Sequence, residues 1–314
     1  MNVVITGATG FIGRPLCAEL TGAGHTVTVL SRDAEKAQAA LGRRVKSLAW
    51  GERASNAWRQ AVREAEVVIH LAGESVGGRR WTPEVKRRIR ASRVETTRAL
   101  VKVLCQSGSW SGALICASAV GYYGDCKDQT VTEETPSGSD FLSEVCREWE
   151  AEAHKAEAVG ARVACMRLGI VLGKGGALEK MLTPLPVPIS PWKLGLGGPL
   201  GNGRQWMPWI HLDDVVGLFL FAATHSQMQG AVNVTAPNPV TNATFTHTLG
   251  RVLHRPAFVP VPGFALRMLL GEFAATVLGG QKALPTVALA HGYPFRFPDL
   301  EAALRATLTA RKEK

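Results

Sequence analysis

Short apolar runs alternate with helix-forming segments along the first half of the chain. Residues 3–5, 26–30, 45–50, 67–73, 114–117 and 162–168 are β-branched or otherwise apolar stretches of strand length. Between them, residues 14–20, 33–41, 54–64, 83–104 and 141–158 carry helical sequence. Strands that take turns with helices predict a parallel, doubly wound sheet. The helix over 83–104 has its own start signal, with Thr82 as N-cap and Pro83 in the first turn.

Beyond Gly169 the texture changes. Pro184, Pro186, Pro188 and Pro191 crowd one segment, and Gly195, Gly197, Gly198, Gly201 and Gly203 fill the next. Bulky Met181, Leu182, Trp192 and Leu194 are interleaved, which predicts an ordered excursion rather than a flexible linker. An apolar helix over 215–223 and a strand over 231–234 follow. Residues 240–314 then predict helices at 242–252, 263–278, 283–290 and 298–308. The expected fold is α/β, a Rossmann-like doubly wound parallel sheet with a small, mainly helical C-terminal lobe. Residues 1–172 and a returning 207–236 make the first domain; 173–206 and 237–314 make the lobe.

Composition narrows the classes. Six scattered cysteines have neither a CxxC pair nor metal-ligand spacing, so they read as reduced core thiols of a cytoplasmic protein, and no metal is expected. No charged and apolar leader precedes the first strand, and the longest apolar run is far too short to span a bilayer. The formal charge is +10, concentrated at Arg79–Arg80 and over 86–93. On a helix these charges spread over several faces, without the interleaved aromatics of an RNA-binding surface, so a solvated helix is favoured. The expected partner is a small-molecule substrate, not nucleic acid or a membrane, with a homodimer left open.

The candidate chemistry starts at the first strand. Gly7, Gly10 and Gly13 stand at i, i+3 and i+6 between that strand and a helix, with Thr9, Phe11 and Ile12 completing the turn. Such a turn lets backbone approach a pyrophosphate and aims the helix N–H groups at it. Ser31-Arg32 closes the second strand about 20 residues later, where this fold meets the adenosine ribose. An acid there would bind the 2′-hydroxyl of NAD; a hydroxyl and a guanidinium suit the 2′-phosphate of NADP(H). A solvated arginine at a strand end is the competing reading. Leu71-Ala72-Gly73, small residues at the end of the fourth strand, fall at the topological switch point.

Together these residues make a family resemblance. Thr6-Gly7-Ala8-Thr9-Gly10-Phe11-Ile12-Gly13 resembles the start of the extended short-chain dehydrogenase/reductases, the superfamily of nucleotide-sugar epimerases. Leu71–Ser75, Arg80-Trp81-Thr82, Ser92-Arg93, 206–211, 280–285 and 292–300 are similar to its atypical "epimerase family" group, called cell-division-inhibitor-like, which has its own C-terminal domain. The resemblance implies a Rossmann fold, NADP(H) binding, and Arg93 as a second contact to the NADP phosphates. It also places Arg167, Leu168, Gly169 and Val171 beside the nicotinamide. Superfamily enzymes use a Tyr, a Lys four residues later on the helix after the fifth strand, and a Ser that orients the substrate oxygen. Ser118 stands where that Ser belongs, but the helix at 141–158 holds no tyrosine. The literal Tyr123-x-x-x-Lys127 contains Gly124 and Asp125 and is not expected to be helical. Tyr122 or Tyr123 is the catalytic candidate from the loop, with an aromatic pocket wall as the alternative. Glu74, Arg80, Trp81, Arg204, Trp206 and Trp209 are candidates for the substrate mouth. The expected activity is an NADP(H)-dependent oxidoreductase or epimerase on a small carbonyl or sugar-like substrate. The alternative is a non-catalytic NADP(H)-responsive regulatory or scaffold protein.

Overall fold

The computed structural model describes residues 1–77, 80–106, 108–182 and 191–309. Arg79 of the basic cluster and Pro184, Pro186 and Pro188 of the excursion lie outside them. Seven parallel strands form the central sheet: β1 (Asn2–Thr6), β2 (Thr26–Ser31), β3 (Val45–Ala49), β4 (Val67–His70), β5 (Ala113–Ala119), β6 (Arg162–Leu168) and β7 (Gly230–Val234). Their order is β7-β6-β5-β4-β1-β2-β3, so the chain reverses its direction of travel between β1 and β4. Val3, Val4, Ile5, Val68, Ile69, Leu114 and Ile115 are fully buried, as expected for strands covered on both faces.

Helices α1 (Gly13–Gly22), α2 (Ala34–Leu41), α3 (Ala57–Arg63), α4 (Pro83–Cys105), α5 (Phe141–His154) and, beyond α6 (Ala177–Leu182), which turns Leu178 and Leu182 into the second core below, α7 (Leu212–Thr224) belong to this part of the chain. Side chains of Asp33, Thr82 and Asp140 cap α2, α4 and α5 by accepting the amide three residues on. α1 differs: no side chain caps it and no acid stands in its first turn.

The lobe contains α8 (Asn242–Leu253), α9 (Gly263–Leu270), α10 (Phe273–Leu278), α11 (Thr286–Ala290) and α12 (Leu300–Thr309). The single helix expected over 263–278 is two, because Gly271 adopts φ +61° and turns the chain between them. A second core gathers Leu172, Met207, Trp209, Phe245, Leu249 and Leu304. Strands of two or three residues, such as Ile170–Leu172 paired with Trp209–His211, tie the segments together. They are too short to show a period in the sequence. Asp214, in the first turn of α7, accepts the amides of Arg296 (2.7 Å) and Phe297 (2.9 Å) and so fastens the chain just before α12.

Gly13 illustrates how tight the first turn is. A Cβ there would lie 2.4 Å from the Gly7 carbonyl oxygen and 2.6 Å from Ala8 Cα, both backbone atoms. At Gly22, in the same helix, it would meet nothing within 4 Å. Gly13→Ala should lower unfolding free energy by ~1–3 kcal/mol, whereas Gly22→Ala should be neutral or stabilising. Denaturant titration of the two variants checks the contrast.

Candidate functional site

The loops after β1 and β4 meet at the switch point. Gly7 has φ +69°, and a Cβ on it would lie 2.7–2.9 Å from backbone atoms of Leu71 and Ala72. Gly7 and Gly13 are therefore required by the protein's own packing. Gly10 is exposed, and its Cβ would meet only the Gly7 carbonyl oxygen, at 3.1 Å. Its missing side chain leaves the outer face of the turn open.

A buried relay holds the two loops together. The Ala72 amide donates to Thr6 Oγ1 (3.2 Å), and Thr6 Oγ1 lies 2.6 Å from His70 Nδ1. His70 Nε2 is 3.3 Å from Thr96 Oγ1, whose own hydroxyl donates to the Ser92 carbonyl (2.7 Å). The pattern assigns a neutral imidazole protonated at Nε2. Burial, helped by the nearby Arg93 guanidinium, pulls the His70 pKa down to about 3.

At the end of β2, Arg32 is exposed. The neighbouring acid is spent elsewhere: Asp33 caps α2 through Lys36 N (3.0 Å) and pairs with Lys36 Nζ (2.9 Å). These contacts with Lys36 hold its carboxyl below the usual range. Ser31 Oγ accepts the Asp33 amide (3.2 Å) and keeps its own proton to donate.

Past β4, the Glu74 amide donates to Ser92 Oγ (2.9 Å), and Arg88 pairs with the Glu74 carboxylate (2.9 Å). Arg93 lies partly buried between α4, α5 and this loop, donating to the Ile89 carbonyl (3.1 Å), with its guanidinium 5.3 Å over the Trp149 ring. Among the described residues it forms no ion pair. A Cβ on Gly73 would stand 3.3 Å from that guanidinium, so the glycine gives it room.

The carboxyl ends of β5, β6 and β7 hold a polar cluster that sequence reading only partly found. Ser118, Arg167 and Asn233 lie in one cross-strand row. Glu150 on α5 grips Arg167 with both oxygens (2.9 and 2.8 Å) and accepts the Ser118 hydroxyl (2.6 Å). Arg167 also donates to Tyr123 Oη (2.9 Å) and to the Glu133 carbonyl (3.2 Å), and stacks 3.5 Å from the Tyr122 ring centre. Tyr123 in turn donates to Asn233 Oδ1 (2.7 Å). Ser118, Tyr123 and Arg167 are all at most 3% exposed. All three polar groups are turned inward and bonded to one another through the cluster. Burial raises the Tyr123 pKa to about 12. Of the missed members, Asn233 had a signal in the strand register, which sets three polar residues level on adjacent strands, whereas Glu150 comes from a helix and Glu133 from a turn, where no register points to them.

On α5, Leu142, Cys146 and Glu150 stand at i, i+4 and i+8, with Leu142 against Gly121. The row has no Tyr–Lys pair. Leu168 and Gly169 follow the cluster, with Gly169 so close to the Pro208 carbonyl oxygen that a Cβ would lie 2.2 Å away; Val171 is buried beside Ile210.

The proposed substrate mouth breaks up in three dimensions. Trp209 is fully buried in the second core and donates to the Asn238 carbonyl (3.1 Å), so it lines no opening. Trp206 donates to Asp128 (3.0 Å) with Lys282 over its ring. Arg204 is exposed on a turn, and Arg80 binds the carbonyls of Met268 and Leu269 at the end of α9. Trp81 sits edge-on to Phe141 (5.2 Å) and near Phe273 (5.4 Å), joining α5 to α10. Of the six, Glu74 remains nearest the switch point.

The strand order and the glycine turn define the class: a Rossmann-like protein built for a nucleotide across β1 and β4. The chain belongs to the NAD dependent epimerase/dehydratase family, whose sequence profile matches residues 3–235, and residues 261–307 match a domain of unknown function, DUF1731. It is 42% identical over 311 residues to the chloroplastic epimerase family protein SDR39U1 homolog of Arabidopsis thaliana, covering 98% of this chain and 87% of that one. The Bacillus subtilis epimerase family protein YfhF is 40% identical over 313 residues, 99% of each chain. The crystal structure of human epimerase family protein SDR39U1 (isoform 2) with NADPH superposes with TM-score 0.83 at 33% identity, covering 98% of this chain and 99% of that one.

Two outcomes follow from the buried groups. The unfolded chain protonates His70 below its ordinary 6.5, while the folded chain resists until about 3. The stability this group contributes is whole above pH 6.5 and falls by ~1.4 kcal/mol per pH unit below it. Between pH 6.5 and about 5, the slope of unfolding free energy should flatten by nearly one proton in His70→Gln. Glu150→Leu leaves Arg167 charged and unpaired, and should lower urea-unfolding stability by ~3–5 kcal/mol.

Proposed function

We propose that this chain binds NADP(H) over the β1 and β4 loops and acts as an oxidoreductase or epimerase on a small carbonyl or sugar-like substrate. The observation that carries the cofactor choice is the end of β2. Asp33, the one acid adjoining Arg32, is tied into the start of α2, while Arg32 is exposed and the Ser31 hydroxyl keeps its proton free to donate. That pair is suited to a 2′-phosphate and offers no carboxylate to a 2′-hydroxyl. The human relative crystallised with NADPH supports the same choice.

The surrounding groups fit the rest of a dinucleotide. Gly10 lets an anion approach the backbone, and the uncapped start of α1 presents its positive dipole end. Arg93, partly buried and in no ion pair among the described residues although the Glu74 charge is near it, adds a second positive charge, and Gly73 keeps the space beside it free. Bound there, the cofactor supplies hydride chemistry; the protein supplies position and a dry setting.

A second reading is favoured by one observation. The Ser118 and Tyr123 hydroxyls are committed inside the Glu150–Arg167 cluster, so neither is free to pass a proton to substrate. A protein that binds NADP(H) and reports its redox state to a partner needs no such donor. NADPH binding accompanied by consumption with any of a panel of carbonyl or nucleotide-sugar compounds supports the enzyme; binding alone across the panel supports the regulatory reading.

Arg32→Ala should weaken NADPH binding roughly ten- to a hundred-fold, the worth of a charge-assisted contact, and leave NADH binding nearly unchanged. Fluorescence titration with both nucleotides measures this. Equal losses for the two would remove Arg32 from the phosphate site.

A further inference from the structure

The lobe exposes apolar side chains that its own core does not use. α9 buries one residue, Leu266, and leaves Phe264, Met268 and Leu269 in solvent. Beside its start, the strand-like stretch 256–261 runs along residues 197–201, through Val259 N to the Gly197 carbonyl (3.1 Å), Val261 N to the Pro199 carbonyl (2.9 Å) and Gly201 N to the Val261 carbonyl (2.9 Å). These pairings lay the segment that carries Leu194 and Leu196 alongside the one that carries Phe258. All six side chains are between 54% and 72% exposed. Among the described residues, the only other exposed large hydrophobics are Val259, in the same stretch, and Leu289, both less exposed than these six.

Within these two stretches the charges have one sign, and the nearest acid along the chain, Glu272, pairs with Lys86. Residues 191–200 and 254–270 contain Lys193, Arg255 and Arg267 and no Asp or Glu. Arg80 fixes the end of α9 to the Rossmann part of the chain through the Met268 and Leu269 carbonyls, so the helix is held with its apolar side outward. Exposed apolar side chains gathered on adjoining segments in this way mark an interaction surface. Two copies meeting through it would set basic residues against basic residues, at a cost. An anionic bilayer surface takes the apolar side chains into its acyl boundary and the arginines at its headgroups.

We infer that α9 and the 256–261 stretch dock this protein on the surface of an anionic lipid bilayer, by shallow insertion of Phe258, Phe264 and Met268. Docking is distinct from spanning: no helix among the described residues is long and apolar enough to cross a membrane. The inference does not depend on the cofactor assignment.

Co-sedimentation with vesicles tests it. The intact chain should sediment with phosphatidylcholine vesicles containing phosphatidylglycerol, far less with phosphatidylcholine alone, and less with both lipids as salt rises. Arg267→Gln should weaken binding roughly fivefold, and Phe264→Ser with Met268→Ser about tenfold or more. All three positions are exposed, so the thermal midpoint should match the unaltered chain; if the serine pair unfolds, Arg267→Gln alone decides. Failure to sediment with the anionic vesicles at low salt overturns the proposal. So does equal binding to both lipids, or binding unchanged in the variants. A concentration-dependent dimer by light scattering, lost in the serine pair, would assign the patch to self-association and overturn it as well.

Discussion

The Glu150–Arg167 pair is the constraint on which the arrangement of the sheet's carboxyl edge depends. Two buried charges are costly to desolvate and are tolerated only when geometry and further hydrogen bonds are complete. Here Glu150 receives two bonds from the guanidinium and one from Ser118, and Arg167 Nη1 donates to both Tyr123 and the Glu133 carbonyl. The cluster does not stop at the sheet. Asn233 donates to the Leu284 carbonyl (2.9 Å), and the Glu133 carboxylate takes the Asn233 amide (3.0 Å), the Val287 amide (3.2 Å) and the Thr286 hydroxyl. One ion pair thereby joins β5, β6, β7, α5 and the lobe into a block.

That block divides the carboxyl edge into two chemically different halves. Beyond β4, polar side chains are satisfied by one another. Around β1, β2 and the loop after β4, backbone and charge are left for a ligand: an open Gly10, an uncapped helix start, an exposed Arg32 and a partly buried Arg93. Asp33 shows how a single cap sets specificity, because a carboxylate used to start α2 is not offered to a ribose.

The sequence made the sheet legible because buried parallel strands are continuous apolar runs and the helices between them carry caps at Asp33, Thr82 and Asp140. It also marked the glycine turn, since only close backbone approach demands glycine at both Gly7 and Gly13. It did not mark the fate of Ser118, Tyr123 and Arg167. A polar residue at a strand end reads as a site residue unless its partner is known, and Glu150 comes from a helix with no special motif. Trp209 misled for the same reason: an indole in a string rich in aromatics carries no sign of whether it faces a cleft or a core. The break at Gly271 was hidden because apolar periodicity runs on both sides of a residue whose left-handed backbone is decided by the turn it must make.

The Asp214 fastening has a consequence for assembly during synthesis. The second core draws Leu300, Ala303 and Leu304 from α12 and Met207 and Trp209 from a segment nearly a hundred residues earlier. Until the ribosome has released residues 296–304, that earlier apolar stretch lacks its cover and the acid at the head of α7 lacks its two amides. The nucleotide-facing half can settle once α4 has followed β4, whereas the lobe must wait for α12, leaving a nascent chain with a finished cradle and an open flank.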